Sequence, residues 1–164
     1  MPAAPKQQWR VIEVPADQRQ AYQDLLRLAD DSDREIASYR ELGALFGLVD
    51  ADGEPKGEAL VLPTEERHTM ELRSLAIEDA FQGRGLGRRL VQDVLERLRA
   101  AGMRRVVVGT ASSSLDALAF YLRLGFRPWR IERDRFTEAR GYPPGLCEDG
   151  IEVRDMIWLD CTLE

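Results

Sequence analysis

The sequence predicts a single α/β domain that occupies residues 1–164, and three observations predict it. The length is that of one domain, which buries roughly 70% of the surface of its unfolded chain. An Asp52-Gly53 step between two apolar runs marks a β-hairpin. A strand, a glycine-rich turn, a helix and a strand follow one another over residues 68–108, the pattern of a βαβ unit with a parallel strand pair and a right-handed crossover.

Apolar patterning in the first half of the chain predicts four strands and two helices. The strands are short runs rich in β-branched or apolar residues, at 9–14, 44–50, 56–62 and 68–77. Apolar residues at helical intervals predict a helix over 16–29, and a second helix follows at 33–40 with Ser32 as its N-cap. Pro15 and Pro63 close the first and third strands, because proline donates no hydrogen bond to a sheet.

The second half contains the clearest helix of the chain. Its apolar residues recur at helical spacing, at Leu86, Leu90, Val91, Val94, Leu95 and Leu98. Gly102 ends this helix, and residues 106–108 form a short apolar run typical of a strand buried on both faces. Ser113-Ser-Leu-Asp116 resembles a capping box ahead of a helix at 117–124. Two last strands are predicted at 126–131 and 151–162, with little regular structure over 134–150.

The charge of the chain is distributed unevenly. The formal net charge is −6, the wrong sign for a general nucleic-acid binder, so no nucleic-acid partner is expected. Between Arg84 and Arg105, however, seven arginines and two acidic residues give +5, against −11 for the rest of the chain. This basic segment indicates either a site for an anion or a solvated helix face.

The sequence predicts no membrane contact and no metal site. No apolar run approaches the ~20 residues that cross a bilayer, and residues 1–9 lack the apolar core of a signal peptide, so we expect a cytoplasmic protein. Cys147, Cys161 and His68 have no zinc-ligand spacing, and nothing spaces the acidic residues for magnesium.

A glycine-rich loop, Gln82-Gly-Arg-Gly-Leu-Gly87, lies where a predicted strand gives way to a helix. Glycines at such a junction leave backbone N–H groups uncovered at the positive end of the helix, which is the physical basis of a phosphate site. The loop matches neither common nucleotide fingerprint, because Gly87 is followed by Arg88-Arg89 and not by Lys-Ser/Thr, and because Arg88 stands where G-x-G-x-x-G needs glycine. A turn that merely starts a helix is the alternative.

Two further motifs accompany the glycine loop in a fixed order. Glu71-Leu-Arg-Ser-Leu-Ala-Ile77 precedes it and Ala119-Phe-Tyr-Leu-Arg-Leu-Gly-Phe126 follows it. With the Gln/Arg-x-x-Gly-x-Gly/Ala signature at 82–87, they resemble the GNAT superfamily of acyl-CoA-dependent N-acyltransferases over residues 68–128. The resemblance implies a mixed, mostly antiparallel sheet with helices on both faces, which splays between its fourth and fifth strands to admit acyl-CoA, most simply acetyl-CoA.

The resemblance also implies which residues bind the coenzyme. The loop would bind the pyrophosphate, through Gln82, Gly83, Arg84, Gly85, Leu86, Gly87 and Arg88. The backbone of Leu75, Ala76 and Ile77 would pair with the pantetheine arm as an added strand does. Related sequences often carry Asn near the start of the later helix, where this chain has Thr110-Ala-Ser-Ser-Ser114, so Ser112 or Ser114 is expected to donate that hydrogen bond.

Amine acylation by a thioester needs a neutral amine, a polarised carbonyl and a proton for the leaving thiolate. By its position before Gly125, Tyr121 corresponds to the family's general acid, and a core tyrosine is the alternative. Glu71 lies where several relatives place a general base, although a normal Glu is mismatched with an amine by about 6 pK units; the alternative is an acid paired with Arg73. His68 is a further candidate base, and the N–H of Leu75 or Ala76 would polarise the carbonyl.

For the acceptor, the resemblance points to the first two helices and the last loop. Acidic residues are frequent there, at Asp30, Asp31, Asp33, Glu35, Glu132, Asp134, Glu138, Glu148 and Asp149. They favour a cationic amine or, alternatively, form a solvated surface, and Tyr142 and Trp129 are candidate pocket walls. We expect an N-acetyltransferase that acts by direct attack of a primary amine of a small molecule or peptide, and, by family habit, a homodimer. A non-catalytic acyl-CoA-binding sensor and a nucleotide-phosphate-binding domain are the alternatives.

Overall fold

The computed structural model describes residues 8–164; the prediction that no signal peptide precedes them concerns residues outside this range. The strands are β1 (Arg10–Glu13), β2 (Ala44–Val49), β3 (Pro55–Pro63), β4 (Thr69–Ile77), β5 (Arg105–Ala111), β6 (Arg127–Glu132), β7 (Cys147–Glu148), β8 (Ile151–Glu152) and β9 (Met156–Thr162). The α-helices are α1 (Gln23–Ala29), α2 (Asp33–Tyr39), α3 (Leu86–Ala100) and α4 (Leu115–Arg123), with 3₁₀ turns at Ala16–Tyr22, Asp79–Phe81 and Glu138–Arg140.

The predicted mixed α/β sheet is confirmed. Within the described residues, seven strands form one sheet in the order β1-β2-β3-β4-β5-β9-β6, and β7 pairs with β8 in a separate hairpin. The β4–β5 pair is parallel, as the βαβ unit predicts, and the other pairs are antiparallel. Helices cover both faces, because α3 and α4 pack on one core of the sheet, whereas α1 and α2 pack on the other.

The splay between β4 and β5 is also present. The two strands pair only from Thr69 opposite Arg105 to Glu71 opposite Val107. Just beyond this point Arg73 bulges from β4, because Leu60 pairs with Ser74 and Val61 with Leu72. The β4 edge from Leu72 onward therefore has no strand partner on its β5 side within residues 8–164.

Three local predictions need correction. The predicted helix at 16–29 begins as a 3₁₀ turn and becomes α-helical only at Gln23, where the neighbouring Tyr22 packs its ring into the core. The predicted last strand is interrupted between β8 and β9. Ser113 does not cap α4: the N-cap residue is Ser114, without a side-chain cap bond, and the buried Ser113 hydroxyl has no partner among the described residues.

Several arginines of the basic segment serve the fold. From α3, Arg89 donates to the Trp9 carbonyl oxygen (2.8 Å) and Arg97 to that of Val11 (2.9 Å). These bonds occupy main-chain acceptors of the edge strand β1 and its entry. Arg105 pairs with Asp160 (2.9 Å) and Glu66 (2.6 Å). These arginines therefore form neither a wholly solvated helix face nor a segment used wholly for binding an anion.

Across residues 8–164, no helix combines the length and the apolar character that a membrane crossing needs. In the same part of the chain, no group of three or more His, Cys, Asp and Glu side chains is placed to hold a metal ion.

Candidate active site

A cavity of about 450 Å³ opens where β4, the glycine loop and the start of α3 meet. Gly83 (φ +74°) and Gly85 (φ +75°) adopt left-handed backbone conformations that residues with a side chain seldom take, and α3 begins directly afterwards at Leu86. Gly85 is the N-cap residue of α3 and offers no side-chain cap, so the first amides of the helix remain available to an anion.

Most of the residues predicted to bind a coenzyme line this cavity, namely Leu75, Ala76, Ile77, Gln82, Gly83, Gly85, Leu86, Gly87 and Arg88. The Gln82 side chain donates to the Ile77 carbonyl oxygen (2.9 Å) and to Asp79 Oδ1 (3.1 Å), so it also fixes the path from β4 into the loop. Arg84 lies outside the lining: its guanidinium is 3.4 Å from the Ala80 carbonyl oxygen and stacks near the Phe81 ring.

Three apolar residues of the lining were missed by sequence reasoning. Leu28 of α1, Phe81 of the 3₁₀ turn and Phe120 of α4 contribute to the wall. Of these, Phe120 stands beside Tyr121 in a motif that the sequence singles out, and this was an available signal. Leu28 has no comparable local signal, because the folding of α1 over the sheet brings it there.

Tyr121 is buried on α4 in the core that packs against the sheet, and it is not among the residues that line the cavity. Its ring makes edge-to-face contacts with Phe120 (5.1 Å between centroids) and Phe126 (5.5 Å). Its hydroxyl hydrogen-bonds to no described residue, and a core tyrosine remains the alternative to a general acid. Burial, and after it the nearby Glu58 carboxyl, raises the pKa of the Tyr121 phenol.

Glu71 occupies the last paired position of β4, at the fork of the sheet. Burial raises its pKa, whereas the guanidinium groups of Arg73 and Arg135 oppose the rise. Arg73 Nε is 4.0 Å from Glu71 Oε1, so the ion pair expected as the alternative is present together with the raised pKa. His68 is exposed in the turn before β4, with a left-handed backbone (φ +58°), and lies outside both cavities described here.

A second, smaller cavity of about 150 Å³ lies between the end of α1, the carboxyl end of β5 and the segment that follows β6. Its lining is more polar, with Asp30, Asp31, Arg73, Thr110, Ser114, Tyr142 and Glu148. Each cavity takes a wall from β4 and from α1, since Arg73 and Ala29 line this one and Leu75 and Leu28 the larger one. Ser114 lines the small cavity and Ser112 neither, so their predicted coenzyme contact gains no support from this arrangement.

The acidic residues that the sequence places near the acceptor are called the acidic mouth here. Most of them are neutralised by hydrogen bonds and arginines. Asp30 accepts hydrogen bonds from the hydroxyls of Tyr39 and Tyr142, both at 3.0 Å, and from the Ser32 amide (3.1 Å). Four of the remaining acids pair with arginine, namely Asp33, Glu35, Glu132 and Asp134. Trp129 lies on the edge strand β6 under the Arg105 guanidinium, away from both cavities.

Two acidic residues of the small cavity form no ion pair with any described residue. Asp31 lies in the α1–α2 loop, and Glu148 lies in β7, where it accepts a hydrogen bond from the Ser114 hydroxyl. Burial raises the pKa of Asp31, and the charges of Asp30 and Glu148 raise it further. A cationic group bound beside these carboxylates would relieve their mutual repulsion, so this is the part of the acidic mouth that favours a cation.

Comparison with known proteins gives consistent matches. The model of the Acetyltransferase (GNAT) family matches residues 8–126. An uncharacterized N-acetyltransferase of Bacillus subtilis, YvbK, is 33% identical over 148 residues, covering 90% of this chain and 93% of that protein.

Two solved structures carry the coenzyme. An acetyltransferase of Bacillus subtilis in complex with CoA superposes with a TM-score of 0.84 at 32% identity, covering 96% of this chain and 100% of the other. A GNAT family acetyltransferase of Elizabethkingia anophelis with acetyl-CoA bound gives a TM-score of 0.85 at 32% identity, covering 94% and 98%.

Proposed function

Because this chain belongs to the GNAT family of acetyltransferases, we propose that it transfers an acetyl group from acetyl-CoA to the primary amine of a small cationic acceptor by direct attack. The prediction of an acetyltransferase is thereby confirmed, and the identity of the acceptor is the proposed part. The observation that carries the proposal is the opening between β4 and β5, which has an apolar cavity with a glycine loop on one side and a polar cavity on the other. The homodimer and the cytoplasmic location remain predictions.

The larger cavity suits acetyl-CoA. The pyrophosphate would accept hydrogen bonds from the loop amides after Gly83 and from the Arg88 side chain, which is exposed at the cavity wall. The pantetheine arm would extend along the unpaired edge of β4 at Leu75, Ala76 and Ile77. Relatives that bind CoA or acetyl-CoA and cover nearly all of this chain support the assignment.

The transfer itself needs an acid for sulfur and a base for nitrogen. We assign the acid to Tyr121, whose unbonded hydroxyl would protonate the departing thiolate. We assign removal of the first proton, from the acceptor ammonium, to Glu71, because burial raises its pKa and so narrows the mismatch with an amine. The N–H of Leu75 or Ala76 would donate to the thioester oxygen.

The smaller cavity defines the class of acceptor that we propose. Its size suits a short aliphatic chain, and the negative charges of Asp31 and Glu148 favour a cationic group at its rim. The test is thiol release from acetyl-CoA with 1,4-diaminobutane, lysine, an aminoglycoside, a basic peptide and aspartate. We expect turnover with the small cations and little with aspartate. Absence of saturable acetyl-CoA binding by calorimetry would refute the function, whereas binding without thiol release would favour the sensor alternative.

Neighbouring aspartates provide a matched pair for the acceptor site. Asp31→Asn removes a charge from the small cavity and should raise the KM for 1,4-diaminobutane about fivefold, the worth of a partly exposed ion pair. Asp33→Asn removes an equal charge from an exposed pair with Arg27, outside that cavity, and should leave this KM unchanged. Equal effects of both variants would contradict the proposed position of the acceptor.

A further inference from the structure

One carboxyl group is completely buried in the sheet and lines neither of the two cavities. Glu58 of β3 is 0% exposed and stands opposite Ala76 of β4. Its Oε1 accepts a hydrogen bond of 2.6 Å from the hydroxyl of Ser74, and its Oε2 has no hydrogen-bond partner in the part of the chain that the structure describes. A buried, half-satisfied carboxyl destabilises a fold, so its presence indicates a use beyond packing.

The surroundings of Glu58 contain hydroxyl groups and no counter-charge. Tyr39 of α2 and Tyr121 of α4 are close enough for the Glu58 charge to raise the pKa of both phenols. Tyr22 lies over Gly47, the residue that pairs with Glu58 in β2. Glu58 forms no ion pair with any of residues 8–164, and burial raises its pKa to about 8, although the Ser74 hydrogen bond acts in the opposite direction.

Ser74 links this carboxyl to the site. Along β4, Arg73 lines the small polar cavity and Leu75 lines the large apolar one, so Ser74 is the residue between them. It follows the bulge at Arg73, beyond the point where β4 and β5 separate. An amine in the small cavity must cross this junction to reach a thioester in the large one.

We propose that Ser74 and Glu58 form a proton relay that takes the proton the acceptor nitrogen loses as the amide forms. The proposal rests on the proposed function. An ammonium acceptor loses two protons on becoming an amide, one before attack and one after the C–N bond has formed. Glu71 is assigned the first, and the relay takes the second.

The step balances without another reactant. As the C–N bond forms, the C=O π pair moves to oxygen and the nitrogen becomes cationic; its N–H bond then breaks toward Ser74 Oγ while the Ser74 proton passes to the Glu58 carboxylate. The oxyanion then re-forms the C=O bond as the C–S bond breaks, and sulfur takes a proton from Tyr121. One proton is thus stored at Glu58 as another leaves Tyr121, and transfer of the stored proton to the Tyr121 phenolate resets both groups for the next turnover.

The test compares four proteins with acetyl-CoA and 1,4-diaminobutane: wild type, Glu58→Gln, Ser74→Ala and Glu54→Gln. Glutamine keeps the shape of Glu58 and cannot take the proton, so kcat should fall about 100-fold with acetyl-CoA affinity unchanged. The kcat of Ser74→Ala should fall less, about tenfold, because a water molecule can replace the hydroxyl. Glu54 is exposed in the β2–β3 turn, and its variant should match the wild type.

The pH profile separates a relay from a structural role. The wild-type profile should contain a limb that rises through about pH 8, where the Glu58 carboxyl ionises, and Glu58→Gln should lose it. A Glu58→Gln profile parallel to that of the wild type would overturn the relay alone. No turnover by the wild type with any amine of the panel would overturn the proposed function and the relay with it.

Discussion

Two adjacent arginines at the start of α3 have different surroundings and should have different roles. Arg88 lines the larger cavity, whereas Arg89 donates to the Trp9 carbonyl oxygen. Arg88→Gln should raise the KM for acetyl-CoA about tenfold with kcat nearly unchanged, because it removes a charge-assisted phosphate contact. Arg89→Gln should leave this KM unchanged and lower the free energy of unfolding by about 1 kcal/mol. Steady-state kinetics and urea denaturation of both variants check the pair, and a reversed pattern would contradict the assignment.

The Tyr121 hydroxyl can be removed without disturbing its ring. Tyr121→Phe keeps both edge-to-face contacts, so the protein should fold and bind acetyl-CoA as the wild type does. Loss of the general acid should lower kcat about 100-fold. The rate of thiol release and the calorimetric affinity for acetyl-CoA are measured on the same preparation. Full turnover by this variant would exclude Tyr121 as the proton donor to sulfur.

At the scale of elements, the start of α2 holds the segment that closes the small cavity. The Ser32 hydroxyl accepts from the Glu35 amide (3.1 Å) and donates to the Arg140 carbonyl oxygen (2.7 Å). Arg34 donates to the Ala139 carbonyl oxygen (2.7 Å). The α1–α2 loop and the 3₁₀ turn at Glu138–Arg140 are therefore joined by side-chain hydrogen bonds to main-chain carbonyls.

Ser32→Ala removes both the helix cap and one of these bonds. We expect a loss of about 2 kcal/mol in the free energy of unfolding and a higher KM for the amine with no change in the KM for acetyl-CoA. Ser38→Ala on the exposed side of the same helix is the control and should change neither KM. An increase in the acetyl-CoA KM of Ser32→Ala would show that the effect is not confined to the acceptor side.

Elements with strong local signals could be predicted from the sequence, and contacts between distant segments could not. The α3 stripe, the Asp52-Gly53 turn and the glycine loop each depend on a few neighbouring residues. Glu58 lies in a run that reads as an ordinary strand, and only its pairing between β2 and β4 shows that it is buried. The sequence likewise predicts an acidic mouth, because the arginines that neutralise it come from other segments.

At the scale of the whole molecule, the positions of the charges matter more than the net charge. The chain carries −6, yet the glycine loop and the start of α3, which would meet the phosphates, carry the exposed Arg84 and Arg88, and the small cavity retains Asp31 and Glu148. An anionic coenzyme and the cationic acceptor that we propose would therefore meet opposite local charges at two neighbouring cavities along β4.

The buried carboxyl of Glu58 should also shape the pH dependence of stability. Its pKa is raised from 4.5 to about 8 in the folded protein, so the folded state holds a proton that the unfolded chain has released. The stability that this bound proton contributes is fully present below about pH 4.5 and is lost as the pH rises toward about 8. Above that pH the free energy of unfolding no longer changes through Glu58. The loss is about 1.4 kcal/mol per pH unit, and about 5 kcal/mol at most over the interval.

Glu58→Gln removes this titration and nothing else of comparable size. The wild type and the variant should have similar free energies of unfolding near pH 5, and the variant should be the more stable near pH 8.5. Glu132, whose pKa the Trp158 hydrogen bond and nearby arginines lower, contributes stability that is lost only in acid; it is the same in both proteins and cancels in the difference. Urea denaturation at pH 5, 7 and 8.5 measures that difference. A constant difference across the three values would mean that Glu58 ionises in the folded protein as it does in the unfolded chain.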